Sequence, residues 1–518
     1  MILTVDRTFL TLPINRNATV KKLCFYEDGT LIFDLDCRLD TLSPDFTAVV
    51  DLSPFFGKTV ELQCEPQMEF CATLTDAPEL PDLFREPYRP QIHFSVPNGW
   101  NNDPNGLVFY EGEYHLFYQY NPCDVRWGNM HWGHAVSKDL LHWTHLNTAL
   151  FPDRFGTMYS GCGLVDAQNL TGFGTDGRAP LLLYYTAAAN SRLSAGQKYT
   201  QRLAYSTDGG RTVKKIDSAP VVEHIVGSNR DPKVVYVEEL GRYVMALYLE
   251  KNSFRMLSSV DLLHWETFCD LELEGDRECP DLYPLFCDGE KKWVFCGASD
   301  IYVVGHFTAD AFVAESMPQH LQYSNVSYAA QSYSGLPDGR VVRIPWHRIS
   351  IPSSRFSQQM GFPVEMSLSR REGRYVLSAL PVGEIENLYL DSHSVESDLK
   401  QTLRLDLGVN PVDLSLSFSG KDSVELLLFG AKILLDPNTN QVSVGGNKMP
   451  LSAQEGPVEL RILADRCSLE FFADGGRFCM TVQHLCDYNL PYAQFSAPAP
   501  NLLHAQWHPL KSIYDELM

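Results

Sequence analysis

A chain of 518 residues exceeds one ordinary domain, and its 44% apolar content is enough to fill two or three cores. The formal net charge of −22 argues against a nucleic-acid or anionic-membrane partner, since both need a basic surface, and suits a neutral substrate. No uncharged apolar run reaches the ~18 residues that span a bilayer.

The opening residues Met1-Ile2-Leu3-Thr4-Val5-Asp6-Arg7 lead into no apolar signal core. The 13 cysteines are odd in number and lack C-x-x-C pairing, which predicts reduced thiols and a cytoplasmic location rather than a disulfide framework or a zinc site. Residues 1–76 read as a small β-rich domain. Asp28-Gly29 is a hairpin signal, and apolar residues fall on every second position through Leu31-Ile32-Phe33-Asp34-Leu35-Asp36-Cys37-Arg38-Leu39-Asp40. Residues 77–90 form a proline-rich linker laid over a surface. From 91 to 384 the chain repeats: Val136-Ser137-Lys138-Asp139-Leu140-Leu141-His142-Trp143 recurs as Ser259-Val260-Asp261-Leu262-Leu263-His264-Trp265, with a shortened relative at Ala204–Arg211. Aromatic-rich strands start near 114, 181, 243, 293 and 341, a spacing that predicts five blades of a β-propeller. The competing reading is a β-sandwich with similar turns. Residues 385–518 alternate again, as in Val458–Leu463 and Ser468–Phe472, and predict a C-terminal β-sandwich.

Three acidic motifs punctuate the repeats: Asn102-Asp103-Pro104-Asn105-Gly106, Ser228-Asn229-Arg230-Asp231-Pro232 and Arg277-Glu278-Cys279-Pro280-Asp281. Asp-Pro and Asp-Gly are common turn signals, so any one of these motifs alone reads as a turn. Three in register place carboxylates at one position of a repeated unit. Blades around an axis would gather them at one mouth, where clustered carboxylates suit general acid/base and nucleophilic chemistry.

In that order the motifs resemble the signatures of glycoside hydrolase family 32, the invertase, inulinase and levanase family. Tyr114–Pro122 and Trp127–His134 are similar to family text as well. The resemblance runs from about residue 91 to the C-terminus, and the N-terminal unit looks like the accessory β-domain of some fructan-degrading members. It implies an all-β fold, a five-bladed propeller followed by a sandwich, and retaining hydrolysis of β-fructofuranosyl bonds in sucrose or fructan oligosaccharides. It assigns Asp103 as nucleophile, Glu278 as acid/base and Asp231 as transition-state stabiliser. It places Asn102, Gln119, Trp127, Ser160, Arg230 and Trp346 around the fructosyl ring, although Trp127 and Trp346 could instead be propeller core and Gln119 and Ser160 could satisfy backbone groups. Nearby negative charge and burial are expected to raise the pKa of Glu278, while Asp103 stays ionised and Arg230 helps to keep Asp231 so.

No cofactor or metal is implied, and the two flanking β-domains are where a homo-oligomer would form. Two positions depart from the family pattern, Arg277 before the acid and Arg343-Ile344-Pro345-Trp346-His347 in the fifth unit. Rival readings are a fructosyltransferase using the same intermediate, a non-catalytic carbohydrate-binding propeller, and an arabinan-degrading relative of similar fold.

Overall fold

The computed structural model describes residues 1–420, 422–452 and 456–515. Five four-stranded units lie between residues 99 and 381. Their first strands are Gly99–Tyr110, Thr157–Val165, Arg230–Val237, Asp281–Cys287 and Ser327–Ser332. Each first strand packs beside the next and the fifth returns to the first, which closes a ring. Chain closure is also explicit, because Phe356–Ser357 pairs in parallel with Gly99–Trp100 and Ser334 exchanges backbone hydrogen bonds with Leu107 and Phe109. The architecture is a five-bladed β-propeller. Glycine permits the tight approach near the axis: a Cβ on Gly163 would meet the Gly106 carbonyl oxygen at 2.7 Å.

The aromatic-rich runs at 113–121, 181–188, 242–250, 290–296 and 342–347 prove to be the second strand of every blade. The innermost strands of the first and third blades contain their acids, Asp103 and Asp231, whereas Glu278 lies in the turn just before the first strand of the fourth blade. The second and third strands carry the inter-blade core, as in Phe117, Trp132 and Tyr185 between the first two blades and Phe254, Trp293 and Phe295 between the next pair. The repeated Ser-x-Asp text joins third to fourth strands. Asp139 accepts from the Leu141 and His142 amides and from the His142 ring, and Asp261 does the same with Leu263 and His264. Leu140 and Leu262 both sit at φ 68°, so the similarity in sequence is a shared turn.

Two six-stranded sheets between 393 and 509 form the C-terminal sandwich around Leu414, Phe418, Leu426, Ile462, Phe471 and Phe495. Its junction with the propeller is a buried ion network. His93 bonds Asp465 through Nδ1 and Glu470 through Nε2, both at 2.8 Å. Burial disfavours the charged imidazole, but Glu470 and Asp465 outweigh it and push its pKa up to about 9. His93, His347 and Glu470 place ligand-type atoms within 4.8 Å of one another. Both His93 nitrogens are already committed to carboxylates, so the cluster reads as an ion-pair network. The segment from 77 to 98 has no regular strand, yet it is anchored: Phe84 stacks on Tyr514 at 4.3 Å, and the fully buried Arg89 bonds Glu86 and the carbonyls of Val96 and Pro97.

The N-terminal strands make a four-stranded and a three-stranded sheet, with Leu12, Phe25, Phe33, Leu35 and Val50 between them. The Asp28-Gly29 hairpin is present, both residues having positive φ (48° and 79°). In the strand Thr30–Cys37, burial does not simply alternate. Asp34, on the face opposite Phe33 and Leu35, is also buried, because a propeller loop covers it.

Candidate active site

The first strands share one distortion. Pairing with the second strand shifts register between Asn101 and Pro104, between Met158 and Gly161, between Arg230 and Lys233, and between Tyr328 and Gln331. Each bulge falls on or beside pocket residues: on Asn102 and Asp103, on Tyr159 and Ser160, on Asp231, and next to Tyr328. A bulge breaks the in-out alternation and re-aims the side chain, here toward the axis. In the fourth blade the turn just before the strand does the same, with Glu278 and Cys279 at φ 44° and 42°. Asp231 lies at φ 65°. Non-glycine residues held in the left-handed region cost of order 1–3 kcal/mol each and persist where surrounding structure over-determines them.

The result is a cavity of about 420 Å³ at the axis mouth, and all nine residues singled out from the sequence line it: Asn102, Asp103, Gln119, Trp127, Ser160, Arg230, Asp231, Glu278 and Trp346. Asp103 accepts from Ser160 Oγ at 2.5 Å through Oδ2 and from Asn102 Nδ2 at 3.2 Å through Oδ1. Asp231 Oδ2 accepts the Cys279 amide at 3.1 Å, and the Cys279 thiol bridges to Asp103 and Asp231 at 3.6 and 3.4 Å. Glu278 is gripped on both oxygens, by the Tyr328 hydroxyl and by the Arg230 guanidinium, which also lies 3.4 Å from Asp231. The Gln119 amide nitrogen is buried without a protein partner among the described residues, a donor suited to a hydroxylated ligand. Trp346 packs edge-on to Trp100 and Tyr328, and Trp127 stands at the rim, 51% exposed. Neither tryptophan is propeller core.

The electrostatics reverse one expectation. Burial pushes the Glu278 carboxyl up, but the Tyr328 hydroxyl and the positive charge of Arg230 outweigh it and hold it below the ordinary glutamate value. Burial raises Asp103 against the bonds from Ser160 and Asn102. It raises Asp231 to about 7, with Arg230 opposing and the charges of Asp103 and Glu278 adding. Burial and carboxylate neighbours alone would raise Glu278, but the fold also turns the cation and the phenol toward it. A resident proton therefore sits more easily on Asp231 than on Glu278.

Beneath the pocket, Asp281 is fully buried and bonds Lys233 at 3.0 Å and Arg343 at 3.1 Å, with Arg343 also reaching Asp300 at 2.8 Å. The acid that ends the third motif thus ties blades three, four and five together and lies outside the cavity. Cys279 of the third motif also lines the cavity, and Tyr159, Tyr199, Ser228, Tyr328 and Arg348, which were not singled out from sequence, complete the lining. Tyr328 directly precedes the register shift in the first strand of the fifth blade, as Arg230 does in the third, so the repeat register was the signal that could have found it. Arg348 lies 3.6 Å over the Tyr328 ring.

A five-bladed propeller with three carboxylates and aromatic walls at its axis is the architecture of a carbohydrate-cleaving enzyme. Residues 93–379 match the profile of the glycosyl hydrolases family 32 N-terminal domain and residues 411–485 that of the family 32 C-terminal domain, so the chain belongs to glycosyl hydrolases family 32. Among relatives, a levanase of Bacillus subtilis (strain 168) is 33% identical, over 80% of this chain and 68% of its own. An extracellular exo-inulinase of Aspergillus niger is 29% identical over 77% of this chain and 90% of its own. The crystal structure of the exo-inulinase from Aspergillus awamori superposes with a TM-score of 0.74 at 26% identity, covering 83% of this chain and 99% of that one.

Proposed function

We infer that this glycoside hydrolase releases terminal fructose from fructans and sucrose, with Asp103 as nucleophile, Glu278 as acid/base and Asp231 as stabiliser of the transition state. The carrying observation is that Asp103, Asp231 and Glu278, from three different blades, line one cavity beside an unpaired amide and two tryptophans. The names of the relatives, a levanase and exo-inulinases, support the substrate class.

In the two-step reading, Asp103 attacks the anomeric carbon, the bond to the leaving oxygen breaks, and Glu278 gives that oxygen a proton. Water, deprotonated by Glu278, then displaces Asp103 with a second inversion, so configuration is retained. Sugar hydroxyls donating to Asp231 and Asp103 favour their ionised forms. The added negative charge then draws the proton onto Glu278, countering Arg230 and Tyr328. Ser160 and Asn102 keep the Asp103 oxygens oriented for attack. Cys279 bridges the two aspartates as a positioning group.

We place the enzyme in the cytoplasm. All 13 cysteines are free thiols, Cys71 among them exposed, which suits a reducing compartment. Fractionation of the native host, with activity in the soluble cell extract or in the medium, decides this point.

The functional test is a time course on sucrose, kestose, inulin and levan with product analysis. Fructose from the earliest time point supports the reading. Early oligosaccharides without free fructose would indicate an endo-acting or transferring enzyme, and no cleavage at all would leave a binding propeller.

A further inference from the structure

The aromatic wall of the pocket is built by two loops and one strand. Trp127 meets Tyr159 edge-on at 6.0 Å, Tyr159 meets Tyr199 edge-on at 5.7 Å, and the Asn190 side-chain amide donates to the Tyr159 hydroxyl. Trp127 belongs to the loop from 122 to 130, while Asn190 and Tyr199 belong to the loop from 189 to 199. Both loops are held from outside the propeller, by the N-terminal domain.

The second loop is held by one carboxylate. Asp34 accepts the Arg192 amide at 3.0 Å through Oδ2 and the Leu193 amide at 2.9 Å through Oδ1. Lys22 neutralises it at 3.1 Å, and Arg192 adds a two-pronged pair with Glu65 at 2.8 and 2.6 Å. A buried carboxylate with both oxygens on consecutive backbone amides fixes the loop in position and orientation. The first loop is held by a reciprocal pair: the Asp36 amide donates to Asn129 Oδ1, and Asn129 Nδ2 donates to the Asp36 carbonyl, both at 2.8 Å. Arg38 bonds Asp124 at 2.9 Å, Arg126 bonds the Arg16 carbonyl at 2.9 Å, and Cys123 is buried in the core of the N-terminal domain. From the end of the preceding strand, Asn121 Nδ2 donates to the Arg126 carbonyl, next to Trp127, which passes the constraint on.

We propose that the N-terminal domain is a positioning element of the substrate site: through Asp34, Asp36 and Arg38 it fixes the Trp127–Tyr159–Tyr199 wall and thereby sets affinity for the part of the substrate beyond the fructosyl ring being cleaved. Depth supports the assignment to that outer part, and it moves Trp127 outward from the place beside the fructosyl ring that the family resemblance implies. Trp127 is half exposed at the rim, whereas Asp231 is buried at the floor. None of the contacts from the N-terminal domain described here reaches a carboxylate of the pocket, so the domain acts on binding and leaves bond cleavage to the floor. The inference rests on the hydrolytic reading above, which fructose release by the unaltered enzyme checks separately.

The test uses the full chain with Asp34→Ala, Asp34→Asn and Arg38→Met, and with Asn129→Ala as a handle from the propeller side. The expected result is a KM for kestose and longer oligomers raised roughly 5- to 20-fold, with kcat within about twofold. Inhibition by free fructose, which needs only the floor of the pocket, should be unchanged. Asp34→Asn, which retains one acceptor oxygen, should fall between wild type and Asp34→Ala. If Asp34→Ala does not fold, Asn129→Ala and Arg38→Met carry the same expectation. An unchanged KM in folded variants, or a loss of kcat with KM held, would overturn the proposal, because a merely structural domain lowers the active fraction without moving KM.

Discussion

Replacing Tyr328 by phenylalanine probes the electrostatic arrangement around the acid most directly. The hydroxyl donates to Glu278 and favours its charged form, so its removal must raise the Glu278 pKa. A hydrogen bond to a charged group contributes about 1.5–3 kcal/mol, and one pKa unit corresponds to about 1.4 kcal/mol. The upper bound is therefore about two units. Because Arg230 still pairs with the carboxylate and the Glu278 side chain is 21% exposed, so that water replaces part of the bond, the expected shift is about one. A general acid must be protonated to act, so the basic limb of the kcat/KM profile on sucrose should move to higher pH by about one unit. Activity at the optimum should drop about tenfold or less, since the ring and its contact with Arg348 remain. The assay is a pH series of fructose release between pH 4 and 9, with circular dichroism to confirm folding. A basic limb that stays in place, or moves to lower pH, would refute the assignment of that limb to Glu278.

Three further outcomes follow from the same geometry. Asp231→Asn should abolish most turnover yet raise Tm. A carboxyl whose folded pKa is raised to about 7 stabilises the fold only while protonated, so its contribution fades as pH rises from the unfolded value of ~4 through about 7. The Tm gain over wild type should be full above pH 7 and vanish near pH 4 in a melting series. Glu278→Ala should cost roughly 10²- to 10⁴-fold on sucrose and much less on a nitrophenyl fructoside, whose leaving group needs no proton; equal losses on both substrates would contradict an acid role. His93→Ala should destabilise by about 3–5 kcal/mol because it strands two buried carboxylates, and the His93 contribution in wild type, present below ~6.5, should fade as pH rises through about 9. Denaturant unfolding at pH 7 and pH 10 reads both effects.

The amino-acid sequence alone determined the recurrent parts of this protein. Apolar alternation marks strands because side chains on a pleated backbone point to opposite faces. A repeated turn text marks blades because each blade must solve the same local hydrogen-bonding problem, as Asp139 and Asp261 do. Once the repeats were in register, Asp103, Asp231 and Glu278 had to share one end of the axis. The acid-bearing segments could not be read as strands, since their bulges and left-handed residues erase alternation where the side chains turn inward. Tertiary structure decided the rest. Tyr328 and Arg230 reach Glu278 across 50 and 48 residues of sequence and reverse the direction of its pKa shift, a sum over charges that no single segment contains. Asp34 looks like a solvent-facing residue on an alternating strand, and only the docking of the two domains, 158 residues apart at the Arg192 amide, makes it a buried clamp on the substrate wall.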